Sequence, residues 1–209
     1  MKKILHIIAS PRGEQSRTLK ISGRLIDNLK TKYSGVEVDV LNLFTADLPD
    51  LTVTRVKGKY MLLSGQPLTE EAEKSWQEIK EHISRFLSAD MIVVSTPMWN
   101  FSLPYKLKQY IDIIVQPGFT FQYVENGVEG LAAGKKMVVV STHGGDYGES
   151  SPMQSYDQLT PYLKQVFGFI GLTDLEMISA QPMDAGGEEV REKKIAQALQ
   201  KVDELTQKL

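Results

Sequence analysis

The sequence predicts an α/β fold in which helices cover both faces of a parallel five-stranded sheet. Two observations support this prediction. Short runs rich in Ile and Val recur along the chain, and their hydrophobicity is continuous, as strands buried on both faces require. Segments with apolar residues at helical spacing separate these runs, and strands that alternate with helices form parallel sheets.

Five strands and five helices are predicted in alternating order. The strands are Ile4–Ala9, Val36–Leu43, Met91–Ser95, Met137–Ser141 and Leu175–Ala180. The helices lie between Ser16 and Gly35 and over Glu70–Leu87, Pro104–Val115, Tyr156–Phe169 and Glu188–Leu209. Ser16 and Thr69 are typical helix caps, and Gly35 and Pro117 are typical of residues that follow a helix. Right-handed crossovers between such strands indicate a flavodoxin-like, doubly wound sheet of order 2-1-3-4-5.

Residues 1–209 are predicted to form a single domain with two segments longer than this fold needs. These excursions lie at about 45–67 and 119–134. Long excursions in a compact domain are usually functional or form interfaces.

Composition argues against several classes of protein. The chain has 24 Lys and Arg against 26 Asp and Glu, without a basic block, which argues against a nucleic-acid partner. It has no Cys, which excludes disulfides, thiolate nucleophiles and cysteine-ligated metals, and no His–carboxylate cluster indicates a metal site. The apolar run after Lys3 is interrupted by His6 and meets Pro11 early, unlike a signal peptide. No run is long enough to span a bilayer, so a cytoplasmic protein without a membrane partner is expected.

Ligands of doubly wound sheets bind beyond the carboxyl ends of the strands. This rule selects the loops at Ser10–Thr18, Thr96–Leu103 and Thr142–Ser151, which follow the first, third and fourth predicted strands. We expect these three loops to meet at one site.

The first loop leads into a helix, whose free N–H groups and dipole suit a phosphate. The hydroxyls of Ser10, Ser16 and Thr18 add donors, and Arg12 or Arg17 adds charge. Ordinary helix capping explains the serines equally well when this loop is considered alone. The loop lacks the endings typical of triphosphate and dinucleotide sites, so a monophosphate fits better.

The second loop contains Met98, Trp99, Asn100 and Phe101 between prolines. It offers an apolar wall and polar backbone edges for a planar heterocycle, although core packing would explain any single aromatic residue.

The third loop begins at Thr142. Its two glycines, Gly144 and Gly145, allow the backbone to approach a ligand closely. A plain tight turn is the alternative interpretation. His143 is either a surface residue or a donor near a reacting ring, whereas His6 and His82 are expected to be structural. No nucleophile elbow of the Gly-x-Ser-x-Gly type is present.

A phosphate site, an aromatic wall and a glycine-rich edge together fit flavin mononucleotide (FMN).

On these residues the sequence resembles the family of FMN-dependent NADH-azoreductases and NAD(P)H:quinone oxidoreductases, which has a flavodoxin-like fold. The resemblance covers nearly the whole chain. Its most specific blocks are Pro97–Phe101, Gly118–Tyr123 with Glu125–Gly127, Gly130-Leu131 with Gly134–Lys136, and Gly168–Gly171 with Thr173-Asp174.

The resemblance implies a role for each loop. Ser10 and Ser16 to Thr18 would hold the FMN phosphate, Met98 to Phe101 would line the isoalloxazine, and Thr142 to Gly145 would cover its pyrimidine ring. The backbone N–H groups of the two glycines would stabilise negative charge on the reduced ring. The family usually has Arg where this chain has His143, so His143 is only a candidate for assisting protonation, and the catalytic residues stay open.

The implied reaction has two steps. NADH gives a hydride to FMN and leaves, and then a quinone or an aromatic azo compound receives the two electrons. Cleavage of an azo bond to amines needs two such cycles.

The family's enzymes are homodimers, and the second excursion is predicted to contribute an aromatic wall at the dimer interface. Phe119, Phe121 and Tyr123 alternate and would share one side of a strand, followed by a hairpin turn at Asn126-Gly127. Tyr123 and Phe169 are the predicted substrate contacts. The alternative is a small hydrophobic face packed on the domain.

A flavodoxin-type FMN electron carrier without its own NADH oxidation is the main alternative function. Such carriers tend to be shorter and strongly acidic, which a net charge of −2 and two long excursions do not match. A receiver domain would need acidic residues where Ser10-Pro11-Arg12 stands, and a hydrolase would need a nucleophile or metal set. The physiological acceptor and the choice between NADH and NADPH stay open.

Overall fold

The computed structural model describes all of residues 1–209. In chain order its elements are β1 (Lys3–Ile8), α1 (Arg17–Lys32), β2 (Glu37–Asn42), α2 (Val53–Leu63), α3 (Glu70–Leu87), β3 (Met91–Pro97), α4 (Tyr105–Ile114), β4 (Phe121–Val124), β5 (Gly127–Gly130), β6 (Lys136–Thr142), α5 (Leu159–Phe169), β7 (Asp174–Ala180) and α6 (Gly187–Lys208). The main sheet is parallel and has the order β2-β1-β3-β6-β7. The predicted flavodoxin-like order 2-1-3-4-5 is therefore confirmed.

Helices cover both faces of this sheet, which explains the continuous hydrophobicity of its strands. On one face, α3, α4 and α5 bury large aromatic side chains such as Trp76, Tyr110 and Phe167. On the other face, α1 and α6 bury residues such as Leu25 and Val202. Each of the central strands β1, β3 and β6 therefore has apolar neighbours above and below.

Local capping accounts for where two helices begin. The Ser16 hydroxyl accepts a hydrogen bond from the Leu19 backbone N–H at 3.3 Å, as predicted for the start of α1. Helix α5 begins at Leu159, three residues later than predicted. The reason is that the Asp157 carboxylate accepts the backbone N–H groups of Leu159 and Thr160, each at 2.9 Å, after a short 3-10 turn.

The excursion at 45–67 contains a helix, α2, that the sequence did not predict. Its apolar residues Val53 and Tyr60 face solvent, so it lacks the buried apolar stripe that reveals other helices. Gly58 is its one buried residue and lies against the indole of Trp76. The Trp76 Nε1–H donates to the Arg55 carbonyl oxygen at 2.9 Å, which ties α2 to α3.

The excursion at 119–134 forms the hairpin of β4 and β5. Phe121 and Tyr123 share one side of β4, with ring centroids 5.8 Å apart, but Phe119 lies before the strand. The expectation that all three alternate along one strand is therefore wrong for Phe119. Gly118 has a left-handed φ of 75°, which turns the chain before the strand. The Phe119 ring therefore stacks on Trp76, with the ring centroids 6.3 Å apart. The hairpin turn lies between Val124 and Gly127, one residue earlier than predicted.

We predict that Gly58→Ala lowers the free energy of unfolding by about 1–3 kcal/mol, because overpacking strains a fully buried neighbour. An added Cβ would lie 2.5 Å from Trp76 Nε1 and displace the hydrogen bond to Arg55. Urea unfolding followed by tryptophan fluorescence measures this change.

Gly23→Ala in α1 is the matched control, since nothing lies within 4 Å of the added Cβ. It should raise the free energy of unfolding by up to about 1 kcal/mol through helix propensity alone. Equal effects of the two substitutions would contradict the packing of α2 described above.

Candidate functional site

The parallel sheet brings the predicted loops to one edge, where they surround a cavity of about 180 Å³. Nine of the residues predicted to bind a cofactor line this cavity: Ser10, Ser16, Arg17, Thr18, Met98, Trp99, Thr142, His143 and Gly144. Loops more than 120 residues apart in sequence thus form one site, because the carboxyl ends of neighbouring parallel strands lie side by side.

Buried hydroxyl groups line one end of the cavity. Ser10 Oγ donates to Ser16 Oγ at 2.9 Å, and Ser16 also caps α1. The Oγ1 atoms of Thr18 and Thr142 lie 2.6 Å apart and connect the start of α1 to the end of β6. Hydroxyl donors gathered at a helix N-terminus suit a phosphate group.

Arg17 lies beside these hydroxyls and pairs with the loop that follows β7. Its Nη1 donates to the Asp184 carboxylate at 2.6 Å and to the Met183 carbonyl at 3.2 Å. Asp184 and Met183 also line the cavity but were not predicted from the sequence. The rule that selected the other loops applies equally to the carboxyl end of β7, so it could have identified them.

The second loop forms a tight turn over Trp99–Ser102. The backbone N–H of each end residue donates to the carbonyl of the other at 2.9 Å. Asn100 and Phe101 have φ values of 46° and 69°, and they are the only residues other than glycine in the left-handed region. This is the geometry of a type I′ turn. Non-glycine residues keep such a conformation only where the surroundings enforce it, and such positions cluster at ligand sites.

Asn100 and Phe101 do not line the small cavity. Asn100 lines an adjoining groove of about 1,020 Å³ between α4 and α5, and Trp99 lines both spaces. The Phe101 ring packs against Tyr156 and Tyr147 at centroid distances of 5.3 and 6.3 Å. No sequence pattern indicates Tyr147 or Tyr156, because their contacts with Phe101 are purely tertiary.

His143 is buried, with 1% of its surface exposed, so the surface interpretation does not hold. Its Nδ1 lies 3.0 Å from Gln181 Oε1 and its Nε2 lies 3.1 Å from Ser141 Oγ. Burial lowers the pKa of His143 below its usual value, so the imidazole is neutral at pH 7. With both nitrogens engaged, no ring nitrogen of His143 is free to form a hydrogen bond with a ligand.

Gly144 and Gly145 leave their backbone N–H groups without partners in the protein. Neither glycine has a left-handed φ, so space rather than conformation favours glycine here. A Cβ would lie 3.0 Å from Asp184 Oδ2 at Gly144 and 3.2 Å from Tyr147 Oη at Gly145. Two free N–H donors beside the cavity form a polar edge for a ligand.

The two predicted substrate contacts lie elsewhere on the chain. Phe169 is the last residue of α5, which runs back toward the amino ends of the strands. The ring centroids of Phe169 and Phe121 lie 4.7 Å apart. Tyr123 contacts the same Phe121 and is 66% exposed. Neither residue lines the cavity.

His6 and His82 lie within β1 and α3, outside the cavity, as expected. His6 Nε2 lies 2.8 Å from Ser95 Oγ inside the sheet, and burial lowers the pKa of His6 to about 4. The His82 ring packs edge-on against Tyr110 at 5.9 Å. No group of three or more His, Asp or Glu side chains is placed to hold a metal ion, and none of the helices combines the length and hydrophobicity needed to span a bilayer.

Known proteins are similar to this chain over nearly its whole length. The flavodoxin-like fold family matches residues 2–206. An FMN-dependent NADH:quinone oxidoreductase of Nitratidesulfovibrio vulgaris is 38% identical over 200 residues, 96% of both chains. A second protein of that name, from Pseudomonas syringae, is 36% identical over 85% of both chains.

Solved structures of azoreductases have the same fold as this chain. A crystal structure of an azoreductase from Bacillus anthracis superimposes with a TM-score of 0.90 at 28% identity, covering both chains completely. A structure of an FMN-dependent NADH-azoreductase from the same species, in complex with FMN, has a TM-score of 0.85 at 28% identity. It covers 99% of this chain and 100% of that one.

We predict that His6 makes the protein less stable as the pH falls from 6.5 to 4. Over this range the unfolded chain binds a proton at residue 6 and the folded chain does not, so the free energy of unfolding decreases by about 3 kcal/mol. Urea unfolding at pH 7 and pH 4.5 measures the loss.

A His6→Asn variant should lose less stability than the natural chain between these two pH values, because Asn has no proton to gain. The remaining loss comes from other titrating groups, including His82 and His143, whose pKa values are also lowered by burial. An identical loss in the variant would show that His6 titrates normally in the folded state.

Proposed function

Because the chain belongs to the flavodoxin-like family that includes these FMN-dependent NADH:quinone oxidoreductases, we propose that it is such an enzyme. We propose that it also cleaves aromatic azo compounds reductively to amines, as the names of its structural neighbours suggest. One observation carries the proposal: a hydroxyl-lined helix start, Trp99 at the start of the left-handed turn and Gly144 with its free N–H group line one cavity. The relatives are named as oxidoreductases, which favours an enzyme over an electron carrier.

The residues around the cavity fit FMN. Ser10, Ser16 and Thr18 would hold the phosphate at the start of α1, where hydroxyl and N–H donors converge. Arg17 would add positive charge, shared with its partner Asp184. A cavity of about 180 Å³ is smaller than most cofactor sites, so the flavin ring would lie at its mouth, beside Trp99.

Bound FMN supplies the two-electron chemistry by which NADH reduces a quinone or, in two cycles, an azo bond. The protein contributes positioning and electrostatics. The free N–H groups of Gly144 and Gly145 would be the donors available to a bound ring, and donors that are already oriented stabilise negative charge without reorganisation. The turn that contains Asn100 and Phe101 would hold Trp99, which lines the cavity, beside the bound group. Neutral His143 has no free nitrogen, so it acts through the loop it supports.

We propose that the enzyme is a homodimer in which a second copy completes the substrate site. Tyr123 and Phe169 lie at the other end of the sheet from the cavity of their own chain, so their predicted contact with substrate needs a partner subunit. Apolar surface at the site favours the same conclusion, since Trp99, Phe101 and Tyr105 are 37%, 43% and 64% exposed. Such a pocket selects flat aromatic substrates by stacking, as quinones and azo compounds require.

We further propose that residues 1–209 act as one domain in the cytoplasm. The family match extends over residues 2–206, and α6 is tied back to α1 by the Arg24–Asp203 ion pair. The donor NADH is a cytoplasmic metabolite. A net charge of −2 provides no general attraction to nucleic acid.

We predict that the purified chain takes up one FMN per chain and oxidises NADH faster when a quinone is added. Absorbance at 340 nm follows NADH, and loss of the visible band of methyl red follows azo reduction. A chain that takes up no FMN would contradict the proposal. A chain that binds FMN but does not oxidise NADH would be an electron carrier instead.

Thr18→Val tests the phosphate site within the same experiment. It keeps the shape of the side chain but removes the hydroxyl next to Thr142, so the Kd for FMN should rise about tenfold. Thr31→Val is the matched control, because Thr31 is an exposed residue of the same helix. Equal affinities in both variants would argue against this end of the cavity as the phosphate site.

We predict that Tyr105→Glu converts the dimer to a monomer, because it places a charge in the apolar surface that the partner covers. Light scattering after gel filtration should give twice the 23.4 kDa chain mass for the natural protein. Val40→Glu, on the edge strand β2, adds the same charge to another exposed apolar position and should leave the dimer intact. A monomeric natural protein would refute the proposed dimer.

A further inference from the structure

One side chain connects the loops that follow β6 and β7. Gln181 is the first residue after β7, and its Oε1 accepts a hydrogen bond from the Tyr147 backbone N–H at 2.9 Å. The same oxygen lies 3.0 Å from His143 Nδ1. His143 and Tyr147 are the two ends of the segment that contains Gly144 and Gly145, which we call the glycine loop (residues 143–147).

The partners of Gln181 determine where the protons lie. The Tyr147 backbone N–H can only donate, so the Gln181 atom beside it must be the amide oxygen. That oxygen cannot donate, so His143 Nδ1 must donate to it. In a neutral imidazole Nε2 is then an acceptor, and the Ser141 hydroxyl donates to it at 3.1 Å.

The donor and acceptor atoms that link Gln181 to Tyr147 and His143, and His143 to Ser141, are all paired. Both lone pairs of the Gln181 oxygen are used, and both nitrogens of the buried His143 ring are engaged. The adjoining backbone is also bonded, since the His143 N–H donates to the Ala180 carbonyl at 3.1 Å. Within the glycine loop, the backbone N–H groups of Gly144, Gly145 and Asp146 have no partner in the protein, and Gly144 is the one of these three residues that lines the cavity.

We propose that Gln181 is the positioning residue of the glycine loop: by accepting from both ends, it orients the free N–H groups of Gly144 and Gly145 and holds His143 in its Nδ1–H tautomer. Where FMN is concerned, the inference rests on the proposed function. Gln181 does not itself line the cavity, so it acts only through the loop.

Two substitutions separate the hydrogen bonds from the volume of the side chain. Gln181→Met keeps an unbranched chain of similar size but leaves the Tyr147 N–H and the His143 Nδ1–H without an acceptor. Gln181→Glu keeps an oxygen that accepts from both. Gln200→Met, on the exposed side of α6, is the matched control for the Met substitution.

The first measurement is the Kd for FMN, taken from quenching of flavin fluorescence by apoprotein. We expect the Kd to rise about tenfold in Gln181→Met and to stay within about threefold of the natural value in Gln181→Glu and Gln200→Met. An unchanged Kd in Gln181→Met, or an equal loss in Gln181→Met and Gln181→Glu, would overturn the proposal.

The second measurement needs no FMN. Nitrogen-15 NMR of the apoprotein, with His143 assigned from a His143→Asn variant, should show a protonated Nδ1 and a bare Nε2. An Nε2–H tautomer in the natural chain would overturn the proposal, even if Gln181→Met fails to fold. If the natural chain binds no FMN, the proposed function fails, whereas the NMR result still decides whether Gln181 fixes the loop.

Discussion

The parallel alignment of buried strands is the constraint on which the site depends. Adjacent strands lie about 4.8 Å apart, so the loops after the neighbouring strands β1, β3 and β6 are spaced across roughly 10 Å at one edge. This spacing puts the hydroxyls at the start of α1 at one end and the Trp99 turn and glycine loop beside them. An elongated ligand with a phosphate at one end and a flat ring at the other matches that distribution.

The site is built mainly from neutral donors. Hydroxyls, backbone N–H groups and an uncharged imidazole surround the cavity, and the charge of Arg17 is paired with Asp184. This set of groups would meet an anionic phosphate with directed hydrogen bonds and with the charge of Arg12, which lines the cavity and forms no ion pair. It also leaves the two glycine N–H groups as the groups best placed to respond to charge that develops on a bound ring.

Local patterns in the sequence predicted most of the fold and much of the cavity. Strands such as Met91–Ser95 are evident from continuous hydrophobicity, and the Ser16 cap is evident from its position before a helical stripe. Nine lining residues followed from the rule that places ligands at the carboxyl ends of strands. Helix α2 escaped prediction because its apolar residues are exposed and its packing depends on the absence of a side chain at Gly58.

What the sequence could not predict are pairings between distant segments. Gln181 meets His143 across 38 residues, and Asp184 meets Arg17 across 167. Such pairs depend on how the loops lie once the sheet has formed, and no local spacing encodes them. The burial of His143 is of the same kind, because the residues that cover it come from the end of another strand.

A crystal structure of this chain with FMN would decide whether the three loops form a flavin site. The phosphate should lie within hydrogen-bond distance of the Ser10 and Thr18 hydroxyls, and the ring should contact the Trp99 turn and the N–H groups of the glycine loop. FMN bound elsewhere, such as deep in the groove between α4 and α5 with its phosphate far from α1, would contradict this assignment.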